Sequence, residues 1–154
     1  MKKRVYKAMK MEYNNSMKKQ WHEDIWDMHY KFGVHKWIME NIDNKELMSK
    51  FLEFRLQFLQ EELDETRAAA IIDKNPQEIV DGLIDLCVVA IGTLDAFGVD
   101  PQVAWDEVHK ANMSKEPGVK ESRPNPLGLP DLMKPEGWTG PNHNDNIGYF
   151  PNAL

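Results

Sequence analysis

Apolar residues recur along the chain at helical intervals. Met17, Trp21, Ile25, Met28 and Phe32 are spaced by three or four, which places them on one face of an α-helix. Ser16 is a cap before this run and Gly33 a stop after it. The stretch VHKWIMENI that follows fits no single template. Asp43 to Glu46 then reads as an acidic cap with a glutamate three residues on, the start of a capping box. It opens a long second helix marked by Leu47, Phe51, Phe54, Phe58, Leu59 and Leu63, which DKNP ends near Ile72. Asn75 caps a third helix, Pro76 takes its first turn and Glu78 is placed to close a second capping box. That helix runs to about Phe97, where Gly98 terminates it. Asp100 and Pro101 begin a fourth, which reaches about Asn112. Strand-like alternation and internal repeats are missing from the pattern. Seven of the nine prolines follow residue 113, together with several glycines and asparagines, so this part reads as an extended tail. The expectation is an all-α protein: an antiparallel four-helix bundle protomer with a Pro/Gly-rich C-terminal tail. Its divisions are a polar lead-in at 1–15, a helical domain at 16–115 and a tail at 116–154 that wraps the bundle, reaches a neighbour or stays loose.

Composition narrows the class. At 154 residues the chain suits one domain with a sizeable core. The net charge of −6 argues against a nucleic-acid-coating protein, despite five basic residues among the first ten, which read as a solvated terminus. The single cysteine, Cys87, excludes an intrachain disulfide and fits a reducing compartment. No run approaches about 18 uninterrupted apolar residues and the N-terminal stretch carries no apolar signal region, so a cytoplasmic protein with neither membrane nor nucleic-acid partners is expected.

Residues 61–85, EELDETRAAAIIDKNPQEIVDGLID, change the picture. They place eight carboxylates in the most apolar part of the chain. Because successive helical residues turn by about 100°, Glu62 and Glu65 share a side with Phe51, Arg55, Phe58 and Ala69, whereas Asp64 points away and Glu61 lies at the margin. On the third helix Glu78, Asp81 and Asp85 form one narrow stripe at i, i+3 and i+7, and most other directions are apolar. A helix apolar on most sides is expected to be buried, and buried carboxylates are costly unless paired or metal-bound. Only Arg55, Arg67 and Lys74 are nearby cations. Two acidic stripes facing each other across an antiparallel turn would therefore take up protons or a divalent cation. Oxygen donors with no His or Cys beside them favour Mg²⁺ or Mn²⁺. Glu62, Glu65 and Asp81 are the strongest ligand candidates. Glu78 serves as ligand, cap or both, and Asp85 is a further member of the stripe. A solvated acidic face is the bland alternative, and Glu61 and Asp64 fit it better.

The string Glu61-Glu62-x-x-Glu65, twelve residues, then Glu78-x-x-Asp81 resembles the signature of the MazG-like all-α NTP pyrophosphatases. MHYKFGV upstream, and VVAIGTLDAFGVD and VHKANMSK downstream, are similar to the rest of that pattern. KPEGWTGPN resembles the branch of phosphoribosyl-ATP-pyrophosphatase-like proteins found in phages and bacteria. The likeness spans about residues 28–142. DLCV stands at 85–88, where many relatives carry an aromatic residue. The resemblance implies Mg²⁺-dependent hydrolysis of a (deoxy)nucleoside triphosphate to monophosphate and diphosphate, in nucleotide-pool control or house-cleaning. It implies Glu62, Glu65, Glu78 and Asp81 as metal ligands, with Asp85 assisting as a ligand or touching the nucleotide. Glu61, or another carboxylate near the metal such as Glu62, would orient the attacking water. Asn112 and Lys115, and with less support Lys110, are expected phosphate, base or sugar contacts, although lysines also suit a helix C-terminus. His29 matches a nucleotide-contacting position of relatives and is as well read as a half-buried helical histidine. Arg55 shares the carboxylate face and either balances it or touches phosphate. Relatives are homodimers or dimer-based homotetramers.

Three rivals stand beside this reading. The substrate is phosphoribosyl-ATP in histidine synthesis; the acids form a di-iron four-helix oxidase; or the chain is a non-catalytic helical interaction module. The di-iron reading lacks its usual Glu-x-x-His, for which Asp106-x-x-His109 is the only near match.

Overall fold

A computed structural model describes residues 20–123 and 125–154. The expected cap at Ser16, the apolar position Met17 and the lead-in 1–15 lie outside the described residues. The fold is all-α, with five α-helices among the described residues: α1 (Trp21–Lys31), α2 (Val34–Asn41), α3 (Lys45–Ala68), α4 (Pro76–Ala96) and α5 (Pro101–Met113). The stretch left open by its pattern, VHKWIMENI, is the short helix α2, set off from α1 by Gly33 at φ +81°. The described residues thus hold one helix more than the expected four. Among the described residues no single helix is long and apolar enough to cross a membrane.

The cap of α3 is Asn44, one residue later than expected, with its Oδ1 accepting from the Leu47 N–H at 3.1 Å. Asp43 stays exposed outside the helix. At its other end α3 widens into a π-helical turn, Ala69–Asp73, and Lys74 closes it in the left-handed region at φ 53°. The Asn75 N–H then donates back to the Ala69 carbonyl at 3.0 Å, while Asn75 Oδ1 accepts from Gln77 and Glu78. This corrects the expected capping box. With the Asn75 N–H already satisfied, the Glu78 side chain has no cap to close and is left to the cleft beside it.

α3 and α4 pack along their length, and α1 crosses α4. Beyond α4 the chain bends by 117° into α5, where Asp100 caps the new helix through Gln102 and Val103. The core lies at the end of α4 far from the acids. Ile38, Met48, Ala96 and Phe97 are buried there together with Ala153, and Val34, Phe51, Leu52, Tyr149 and Phe150 pack around them.

The tail therefore takes the wrapping course of the three expected. It also holds structure that its composition did not predict. Glu116–Gly118 (β1) pairs antiparallel with Asp131–Met133 (β2), Gly118 opposite Asp131. Asp131 is buried and bonded by Arg123 and the Lys120 N–H. Farther on, Asn146 exchanges hydrogen bonds with the backbone of Asp100, and the Tyr149 N–H donates to the Phe97 carbonyl at 2.6 Å. A closing 3₁₀ turn, Phe150–Ala153, stacks Phe150 on Phe97 with ring centroids 4.4 Å apart. Gly148, at φ +53°, passes so close to the Phe97 carbonyl that a Cβ would collide with it.

Candidate active site

The acidic cleft is built where α3 ends and α4 begins. Gly82 of α4 lies against Thr66 of α3, so closely that a Cβ would overlap the Thr66 hydroxyl and meet its Cα at 3.4 Å. The hydroxyl is itself tied to the Glu62 carbonyl at 2.7 Å. This close approach brings the two acidic faces together. Glu62 and Glu65 from α3 and Glu78, Asp81 and Asp85 from α4 line one cavity of about 320 Å³. Asp73 of the π-helical turn joins them. Sequence reasoning passed over Asp73 because it stands in the turn rather than on a helical stripe. The only available signal was its place in the loop joining the two acidic helices.

The cleft gathers five of the expected site residues, but its acids are not sunk in the core. Glu62 and Asp85 are half-buried, and Glu65, Glu78 and Asp81 are exposed. The expectation of a buried third helix is corrected in the same way: Val80, Leu83 and Ile84 of α4 are exposed. Among the described residues α4 is covered on the sides of α1 and α3, and Val80, Leu83 and Ile84 on its remaining apolar face are left uncovered. The acids still feel one another. Desolvation, then the charges of Asp85, Glu65, Glu61 and Asp81, push the Glu62 carboxyl above its ordinary range. A cation among these oxygens would relieve that repulsion. The lining residues offer carboxylates and the Thr66 hydroxyl and no His or Cys, a donor set that fits a hard divalent ion.

The other expected residues lie elsewhere. Glu61 is exposed and does not line the cleft, although its charge reaches Glu62. Arg55 is half-buried between α3 and α4, donating to Thr93 Oγ1 at 3.0 Å and the Val89 carbonyl at 2.9 Å, and burial lowers its pKa. His29 is buried, its Nδ1 2.7 Å from Asp95 Oδ2. Both are thus engaged within the chain, away from the cleft. Lys110 is exposed on α5. Lys115, just past the end of α5, donates to Asn112 Oδ1 at 2.9 Å and lies 5.4 Å from the ring centre of Trp138. None of these three residues lines the acidic cleft of its own chain.

A second centre, which the sequence did not reveal as a unit, joins α1, α2 and α4. His29 and His35 approach the same Asp95 oxygen, at 2.7 and 2.8 Å. Burial acts to raise the Asp95 pKa, but the hydrogen bonds and charges of the two histidines outweigh it and hold the carboxyl below its ordinary value. The available signal was a lone acid in the apolar run VVAIGTLDAFG. His35 and Asp95 also line the wall of a cavity of about 950 Å³, beside Trp26 and Tyr30.

A family model described as phosphoribosyl-ATP pyrophosphohydrolase matches residues 33–112, a little over half of the chain. Among curated proteins there is no significant match.

Proposed function

The chain belongs to the phosphoribosyl-ATP pyrophosphohydrolase family, within the MazG-like all-α NTP pyrophosphatase superfamily, and from that premise we propose that it hydrolyses (deoxy)nucleoside triphosphates to monophosphate and diphosphate. The family implies a pyrophosphohydrolase acting on a nucleotide. The observation that carries the finer reading is the convergence of Glu62, Glu65, Glu78, Asp81 and Asp85 on one cleft, where desolvation and then the neighbouring acids push the Glu62 carboxyl above its ordinary range.

In this reading Glu62, Glu65, Glu78 and Asp81 hold Mg²⁺, for which Mn²⁺ can substitute. Asp85 adds an oxygen to the ion or to the nucleotide. When bound, the ion offsets the triphosphate charge, polarises the phosphorus and lowers the pKa of a coordinated water. Glu61 or Glu62 would orient the attacking water and take its proton. The water oxygen bonds to the α-phosphorus, the α–β bridging bond breaks and diphosphate leaves. This needs no covalent nucleophile from the chain.

Lys110, Asn112 and Lys115 contact phosphate or sugar from a second copy of the chain rather than from their own. The exposed apolar residues Leu63, Val80, Leu83 and Ile84 beside the cleft support such an assembly, a homodimer or a dimer-based homotetramer. His29 and Arg55, whose donors are engaged inside the chain, act by positioning α1 and α3 against α4. No nucleic acid or membrane enters this scheme, and a cytoplasmic setting suits it.

A second reading, cleavage of phosphoribosyl-ATP, is favoured by the family description itself. Diphosphate release with Mg²⁺ across NTPs, dNTPs and phosphoribosyl-ATP decides between the two. Release from (d)NTPs with Glu62→Gln inactive is the expected result. Release from phosphoribosyl-ATP alone selects the second reading, and inactivity on every nucleotide points to a non-catalytic module.

A further inference from the structure

We propose that His29, His35 and Asp95 form a binding site for one divalent d-block cation of the zinc class, separate from the acidic cleft. Each residue presents a single donor atom: His29 Nδ1, His35 Nε2 and Asp95 Oδ2. The three atoms lie within 4.8 Å of one another. They come from α1, α2 and α4, and the fold alone brings them to a point.

The arrangement is held in place from several sides. His29 is 4 % exposed. Its ring fits against Gly92, where a Cβ would stand 3.1 Å from Cε1 and 3.2 Å from Nε2. The His35 ring meets His29 edge-on at 5.9 Å and leans on Trp26 at 5.1 Å. Packing therefore limits both imidazoles to small torsional adjustments.

The present spacing differs from a coordinated one by that kind of adjustment. Bonds of about 2.0–2.1 Å in a tetrahedral site set the ligand atoms about 3.3 Å apart. The two N···O distances of 2.7 and 2.8 Å would open by about half an ångström. Each imidazole would present the nitrogen now facing Asp95 without its proton. Water from the cavity of about 950 Å³, which His35 and Asp95 line, can fill the remaining position. Two imidazoles and one carboxylate suit zinc-class cations, whereas the oxygen-only cleft suits Mg²⁺. Asp95 follows Asp85 by ten helical residues, which separates the centres by about 15 Å along α4. The competing role is a purely hydrogen-bonded staple between three helices.

Titrating the metal-free full-length chain with Co²⁺, read by visible absorption, tests the proposal. One equivalent should bind with d–d bands typical of nitrogen ligation, be displaced by Zn²⁺ but not by excess Mg²⁺, and persist in Glu62→Gln. Affinity should fall by at least about tenfold in His35→Ala and in the larger replacement His35→Gln, since even outer-shell changes act on that scale. Circular dichroism identifies which of these variants is folded. Absence of the bands, displacement by Mg²⁺, or unchanged affinity in a folded His35 variant would establish the staple and overturn the site. This readout does not involve catalysis, so failure of the proposed hydrolysis leaves it standing, and the reverse also holds.

Discussion

Glu62 is the residue on which activity and stability pull in opposite directions. Its folded-state pKa is raised by desolvation and by the acids around it, so without a cation the folded chain binds that proton more tightly than the unfolded chain does. The linkage sign follows. Below the ordinary carboxylate pKa both states are protonated and there is no penalty. As pH rises through that value to the raised folded one, stability is lost, and the loss persists at neutral pH. Glu62→Gln removes the ionisation. Metal-free Glu62→Gln should therefore melt higher than metal-free wild type at pH 7, while diphosphate release falls by more than about a hundredfold through loss of a ligand. Thermal melts between pH 4 and 8, with and without Mg²⁺, check this. Mg²⁺ should raise the wild-type melting temperature far more than that of the variant. Equal pH dependence in the two proteins would show that Glu62 is not the strained acid.

At the scale of elements, the α3–α4 contact sets the width of the cleft. A methyl group at Gly82 would collide with Thr66 and push the helices apart at the point where their acids meet. Gly82→Ala should cost about 1–3 kcal/mol, the usual price of overpacking, and reduce activity with it. Removing the Thr66 hydroxyl makes room, so Thr66→Ala/Gly82→Ala should recover part of both. Chemical denaturation and diphosphate release on Gly82→Ala, Thr66→Ala and the double variant measure the coupling; strictly additive losses would mean that the contact does not set the geometry. The same contact shows what the sequence could convey. Helical spacing located the long helices and turned Glu62, Glu65, Asp81 and Asp85 toward one another, because that information is local to each helix. Whether Glu78 would cap its helix was not legible, because the answer depended on the Ala69 carbonyl six residues before the cap, made available by a π-helical turn. The strands β1 and β2 span three residues each, too short for alternation to register. The meeting of His29, His35 and Asp95 is set by tertiary packing over sequence separations of 60 and 66, beyond the reach of any periodicity.

Across the whole molecule, the core and the cleft occupy opposite ends of α4, and the C-terminal segment completes the core. Phe150 stacks on the fully buried Phe97. Phe150→Ala should therefore destabilise the fold by about 3 kcal/mol, as measured by denaturant titration, with the cleft chemistry preserved below the transition. A change under about 0.5 kcal/mol would mean that the tail does not contribute to the core. The exposed apolar face of α4 was read from sequence as buried, and the two views agree if a second chain covers it. The proposed role of the acidic cleft is to cut between the α- and β-phosphates. The most direct measurement is phosphorus NMR of the products formed from a (d)NTP panel with Mg²⁺. Monophosphate and diphosphate in equal amounts, absent when Mg²⁺ is withheld, is the predicted result. Orthophosphate with nucleoside diphosphate, or no product from any of these triphosphates, would contradict it.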